Sequence, residues 1–340
     1  MIILKLKTST ISYFITNLVI FFLLITIASV NAGHEGGIIF SDPTHGAQGH
    51  AEKADRKVIR KDWAMGADIA ITLDQHLYHV FKSYIETFAK DNKIKIAIKE
   101  GTCGVSSGLL FRREVDMGGF CCPPSTADRV PGLQFHTIGI SGLALIVNKA
   151  NSVSSITLEQ ARAIFKGEIY RWSDIEPKNS LKSVDLLIRT LGRLHCKHRP
   201  GHWRLLLSHE DLFSPRMKEV GTIKDMMENV AENKGAIGYE VAWNIRRFNV
   251  SDRVKTLPIN GYSPENIKHV ASGNYPLYRT YNITSWVGDE SASALLPELI
   301  KYLRKNVEEV DPTFGIVTAR LLRENGWKFY GDELIGEPEK

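Results

Sequence analysis

An α/β fold with mixed, mainly parallel sheets is what this chain predicts, and three observations carry that expectation. Short apolar runs alternate with amphipathic helical patterns from Asp68 onward. A capping box and a glycine stop bound one helix clearly at both ends. No internal repeat breaks the alternation, and no second apolar run long enough to span a bilayer follows the N-terminal one.

Taken in order, Asp68–Thr72 is a short apolar strand. Leu73–Lys90 follows as an amphipathic helix, with Leu77, Val80, Phe81, Tyr84, Ile85 and Phe88 at helical spacing. Lys93–Lys99 alternates with period two, as a strand does. Gly101–Gly108 is a Gly/Ser-rich loop that opens a helix. Val115–Gly118 and Leu143–Val147 are strand segments. Thr157-Leu158-Glu159-Gln160 starts a helix that runs through Ile164 and Phe165 to Gly167. Leu186–Arg189 is a strand, and Arg204–Leu207 and Met217–Asn233 are helical. Ala236–Tyr239 and Tyr278–Thr284 are strands. Ala292–Asn306 and Pro312–Glu324 close the chain as helices.

The chain has 340 residues and a mass of 38.2 kDa, enough for two domains or one large one. With 43% hydrophobic and 24% charged residues, it is neither a disordered nor a multi-span membrane protein. The formal charge is +5, and losing Lys5 and Lys7 with a leader leaves about +3. That surplus is too small to argue for nucleic acid, and is compatible with a small anionic ligand. Residues 1–32 have the order of a secretory signal: two lysines, a nearly unbroken apolar run from Ile11 to Val30, then Val30-Asn31-Ala32 as a cleavage site. The alternative is an uncleaved anchor, the one circumstance in which the membrane is a partner. Both place the rest of the chain outside the cytoplasm, in a periplasm or its equivalent. Residues 33–64, rich in Gly, His and charge, form a flexible N-terminal arm whose His34, His45 and His50 suit solvated loops better than a metal site.

Export changes the meaning of the four cysteines, Cys103, Cys121, Cys122 and Cys196: an even count in an oxidising compartment points to disulfides. No CxxCH occurs, so attached c-type haem is not indicated. The sequence also lacks a paired general acid and base, a nucleophile elbow and a P-loop, so an enzyme is not expected and no cofactor is required.

Four blocks now coincide in order. They are Gly101–Asp116, Ile156–Gly167 with Trp172-Ser173-Asp174, Gly235-Ala236-Ile237-Gly238-Tyr239, and Tyr275-Pro276-Leu277-Tyr278-Arg279. Together they resemble the phosphate-binding type of periplasmic solute-binding protein, the receptor class of the phosphate ABC transporter. The resemblance implies a two-lobed type II fold with crossing strands. Lobe one would comprise 65–147 plus 277–340, and lobe two 148–276. A small oxyanion would sit in the cleft, where helix N-termini and backbone N–H groups favour negative charge, and an ABC permease would receive it.

Carried over residue by residue, the resemblance places a first-loop hydroxyl at Thr72, and a second loop at Thr102 and Cys103 with Ser106 and Ser107 beyond. Asp116 falls in a structural part of the block. The family's ligand-binding Ser-Asp is replaced by Phe120 and Cys121. In lobe two, Arg193 takes the anion-binding place, with Arg189 as the competing register, and Lys197-His198-Arg199 replaces Ser-Gly-Thr. Guanidinium forks suit oxyanions, but the altered loops put tight phosphate selectivity in doubt.

By the same alignment all four cysteines fall on cleft-facing loops. Disulfides among Cys103, Cys121, Cys122 and Cys196 are one reading, and a bond across the cleft would turn the receptor into a rigid assembly subunit. A second is a soft-metal or arsenite-like site using Cys121, Cys122, His195, Cys196 and His198, with His202 nearby. A third is a reactive thiol activated by the basic residues around it.

Overall fold

In the computed structural model, the described residues are 39–46, 58–175, 186–194, 201–287 and 293–339. The expected leader lies outside them. Among the described residues no helix is long and apolar enough to cross a membrane.

The chain alternates as the apolar runs require. Strand β1 (Ile69–Asp74) leads to helix α1 (Gln75–Asp91), β2 (Ile96–Gly101), α2 (Cys103–Phe111) and β3 (Met117–Phe120). The long strand β4 (Leu133–Asn148) crosses to α3 (Leu158–Lys166), β5 (Arg189–Gly192), β6 (Lys218–Glu219), α4 (Ile223–Glu232) and β7 (Ala236–Val241). Then come α5 (Trp243–Arg247), β8 (Val254–Leu257), α6 (Ile267–Ala271) and the returning strand β9 (Tyr278–Trp286). The chain ends with α7 (Leu296–Asn306), β10 (Val317–Thr318), α8 (Ala319–Glu324) and the β11–β12 hairpin (Lys328–Tyr330, Glu333–Gly336).

Side-chain chemistry sets the helix ends. Thr157 and Gln160 close a reciprocal capping box on α3, and Gly167 ends it at φ +84°, a left-handed angle that costs glycine little. Thr222 and Asp225 do the same for the start of α4. The expected helix from Met217 therefore starts later, at Ile223, because Lys218–Glu219 pairs with β5 first. The expected helix Pro312–Glu324 is broken. Gly315 at φ +67° ends a short 3-10 turn, and Val317–Thr318 joins β4 before α8 begins.

One continuous sheet runs in the order β2-β1-β3-β9-β4-β7-β5-β6. Its two flanks are parallel: β1 pairs with β2 and β3, and β5 with β6 and β7. The middle is antiparallel, where β4 meets β9 along one half and β7 and β8 along the other. This is the two-lobed arrangement with crossing strands. One core gathers α1, α2, β1, β3 and α7 around Ile71, Phe81, Leu110 and Leu299. The other side holds two clusters, one around Leu145, Phe165, Trp203 and Tyr239, the other around Met226, Met227 and Ile146. Ile39 of the 39–46 segment is buried in the former, and Ser41 donates to the Pro124 carbonyl at 2.7 Å.

Between the two sides β4 reads Gly139-Ile140-Ser141-Gly142, with a register irregularity at Thr137/Gly139. A Cβ on Gly142 would stand 2.5 Å from the Pro264 carbonyl oxygen. We expect Gly142→Ala to lower the unfolding free energy by about 1–3 kcal/mol, the range for overpacking, read from urea denaturation midpoints.

Candidate functional site at the crossing strands

The seam between the two sides is built from strand ends and the crossing strands. On the first side β1 brings Thr72 and Asp74, two residues apart and so on one face. Asp74 caps α1 by accepting from the Leu77 N–H at 2.9 Å. The cap holds the carboxylate at the seam, and burial pushes its pKa up. Asp74 pairs in register with Gly101, and a Cβ on Gly101 would stand 3.6 Å from Ser106 Oγ, which places the first turn of α2 beside this end. Thr72 Oγ1 and Ser106 Oγ are fully buried and have no hydrogen-bond partner among the described residues. Such hydroxyls cost free energy unless something meets them.

The crossing strands add Ser141 and Arg279, directly opposite each other in register. The second side adds Glu240 from β7 and Arg193, the residue after β5. Arg193 Nη1 donates to Glu240 Oε2 at 3.0 Å, and Arg279 Nη1 donates to Glu240 Oε1 at 2.8 Å. The Val241 N–H also donates to Oε1 at 3.0 Å. Arg279 reaches back to Asp74 at 3.6 Å. Two guanidiniums and a backbone N–H thus converge on one buried carboxylate, the donor set that an oxyanion would use. Asp74, Arg193, Glu240 and Arg279 are each less than 10% exposed.

His76 and Trp243, which closely follow Asp74 and Glu240 in the chain, form an aromatic clasp with Phe314. His76 stacks on Trp243 with ring centroids 5.0 Å apart, and Trp243 lies 5.2 Å from Phe314. His76 Nδ1 makes a short hydrogen bond with the Tyr281 hydroxyl. Glu100 pairs with Arg247 at 3.2 Å, and Arg246 donates to the Thr313 carbonyl. A cavity of about 250 Å³, lined by Ser141, Trp243, Arg246 and Gly315 among others, adjoins the clasp.

Among the expected site residues, Thr72, Ser106 and Arg193 lie buried in the elements that meet here. Thr102 is exposed, and its Oγ1 accepts from the Val105 N–H as the cap of α2. Cys103 and Cys121 form a disulfide that ties the start of α2 to the end of β3. Asp116 accepts from the Ala70 N–H at 2.7 Å and pairs with Arg60, a structural tie. Arg189 is exposed where β5 starts. His195, Cys196, Lys197, His198 and Arg199 lie outside the described residues, and His202 is buried beside Tyr239. Sequence reasoning passed over Asp74, Glu240 and Arg279. Their signal was present: a charged residue inside an otherwise apolar strand, as in Ala236–Val241, is rarely buried without a partner.

Glu240→Ala leaves both guanidiniums without their shared carboxylate. We expect it to cost about 3–5 kcal/mol of stability, the range for breaking a buried pair by removing one partner, measured by urea denaturation. A second expectation concerns acid. Burial, then the nearby Arg279, holds the His76 imidazole well below its ordinary value near 6.5. The folded state therefore takes up fewer protons than the unfolded chain as pH falls through that value, and stability drops there. Between pH 7 and about 5.5 the denaturation midpoint should fall, and fall less steeply in His76→Gln. Equal slopes would rule His76 out as a source of the acid sensitivity.

Comparison with known proteins agrees with this architecture. The profile of the PBP superfamily domain matches residues 45–303. A phosphate-binding protein PstS of Bacillus subtilis is 23% identical over 264 residues, 76% of this chain and 82% of the relative. Two solved structures share the fold. An ABC-type phosphate transport receptor from Vibrio cholerae covers 77% of this chain and 100% of its own, at TM-score 0.55 and 20% identity. A putative phosphate ABC transporter substrate-binding protein from Clostridium perfringens, solved with bound phosphate, covers 74% and 99%, at TM-score 0.62 and 17% identity.

Proposed function

The chain belongs to the PBP superfamily, and from that premise we propose that it is an exported receptor that captures phosphate or a closely related oxyanion at the seam and delivers it to an ABC-type permease. The observation that carries this reading is the convergence of Arg193 and Arg279 on one carboxylate, with the unmet hydroxyls of Thr72 and Ser106 on the facing side. The names of the relatives in Bacillus subtilis and Vibrio cholerae support the choice of ligand. Arg193 and Arg279 would neutralise the ligand's charge, while Thr72, Ser106 and amides at the start of α2 would donate hydrogen bonds to it. In the sequence, Lys197, His198 and Arg199 follow Arg193 closely and add positive charge to the stretch after it. The lobes would divide at 148–276, and ligand entry would require the clasp of His76, Trp243 and Phe314 to open. The apolar leader fits export, and nothing in this reading calls for catalysis.

Glu240 favours one alternative. It already occupies both arginines, and the Cys103–Cys121 bond stiffens the facing loops. A receptor fold so filled would suit a rigid assembly subunit that carries no solute.

Calorimetry with phosphate, sulfate, arsenate and molybdate separates the two. We expect saturable phosphate binding. Thr72→Val, which keeps shape but removes the hydroxyl, should weaken it by roughly 10-fold or more, the worth of a hydrogen bond to a charged group. Absence of heat with all four anions would leave the assembly reading standing.

A further inference from the structure

Three sulfur atoms meet where α2 begins and β3 ends. The Sγ atoms of Cys103, Cys121 and Cys122 all lie within 4.8 Å of one another, the one such group of metal-ligating side chains among the described residues. Each residue is at most 4% exposed. Cys103 and Cys121 are joined, while Cys122 lies outside the disulfide with its Sγ 3.9 Å from that of Cys121. The cluster is held by regular structure rather than by a loose loop. Cys103 is the first residue of α2, Cys121 and Cys122 directly follow β3, and the Cys122 carbonyl accepts from Asn282 at 3.2 Å.

The three sulfurs lie close enough together to share one ion. Three thiolates bonded at about 2.3 Å to a common centre stand roughly 3.4–4.0 Å apart, from a pyramidal to a trigonal planar arrangement. The Cys121–Cys122 separation already meets this. Two thiols on adjacent residues do not readily form a disulfide with each other, but they can both reach an ion in front of them.

We propose that Cys103, Cys121 and Cys122, once the Cys103–Cys121 bond is reduced, form a three-sulfur site for a thiophilic ion, and that trivalent arsenic in the form of arsenous acid is the class it takes. A dithiol or phosphine supplies the two electrons. The S–S bond becomes two thiols, and the reductant ends as a disulfide or a phosphine oxide. Binding itself is not redox: three S–H groups and As(OH)₃ give three As–S bonds and three waters. Charge selects the ion. Trivalent arsenic with three thiolates is neutral, whereas Zn²⁺ would leave one negative charge and Cu⁺ two, in a site closed to water that penalises either. The Arg279 guanidinium is within electrostatic reach of Cys122. Its direct contacts go to Glu240 and Asp74, so the three-sulfur site does not count on it as a counter-ion. The site does not depend on whether the seam binds an anion.

The test uses the full chain, reduced with a phosphine and then given sodium arsenite. Arsenic per chain is measured after gel filtration, and thiols are mapped by alkylation and peptide mass. We expect one arsenic per chain, with Cys103, Cys121 and Cys122 protected and Cys196 alkylated. The unreduced protein should bind none. Cys122→Ser should weaken binding by more than roughly 10-fold, the least that losing even an outer partner of such a site costs, and Cys196→Ser should leave it unchanged. The protection map of the unsubstituted chain decides the matter should Cys122→Ser not fold. The proposal is overturned by absent binding, by equal affinity in Cys122→Ser, by a loss in Cys196→Ser, or by Zn²⁺ or Cu⁺ displacing equimolar arsenite.

Discussion

Burying Glu240 between Arg193 and Arg279 is the constraint on which the seam depends. A carboxylate removed from water is costly, and so is each guanidinium. None of the three is tolerable alone in the interior. Their positions therefore have to be fixed together, by β7, by the end of β5 and by the crossing strand β9. Asp74, reached by Arg279, brings β1 into the same arrangement. The two sides of the molecule are thus held in register by charge as well as by the sheet. The same donors are what make an oxyanion the ligand proposed for this seam. They also explain why any such ligand must contend with a carboxylate the chain supplies itself.

Much of the fold was legible because it rests on local signals. The Thr157–Gln160 capping box, the Gly167 stop and the helical stripe from Leu77 to Phe88 all fall where periodicity and capping place them. The misses have non-local causes. Leu133–Asn148 forms one strand of 16 residues, yet only Leu143–Val147 stood out. The stretch before Leu143 carries His136, Thr137 and two glycines, and it is a strand because β9 pairs along it. Pro312–Glu324 ends in strong helix formers from Ala319 on, but Gly315 and the pairing of Val317 with Ile140 divide it.

The site was legible in part. Thr72, Ser106, Arg193 and the cysteines were singled out from their place in the motif order. Thr102 reached its position for a simpler reason, as a helix cap. Asp74, Glu240 and Arg279 escaped notice because a charge in an apolar strand has meaning only when its partner is known. Those partners lie far away in sequence: Glu240 is 39 residues from Arg279 and 47 from Arg193.

Strand β4 belongs to both sides at once, pairing with β9 and β10 along one half and with β7 and β8 along the other. Neither half of the molecule therefore owns a complete sheet. Cutting the chain at the middle of β4 would not yield two modules that fold apart. Each fragment would be left with an open, hydrogen-bond-hungry edge, and the natural remedy for such an edge is to borrow the missing strand from another copy.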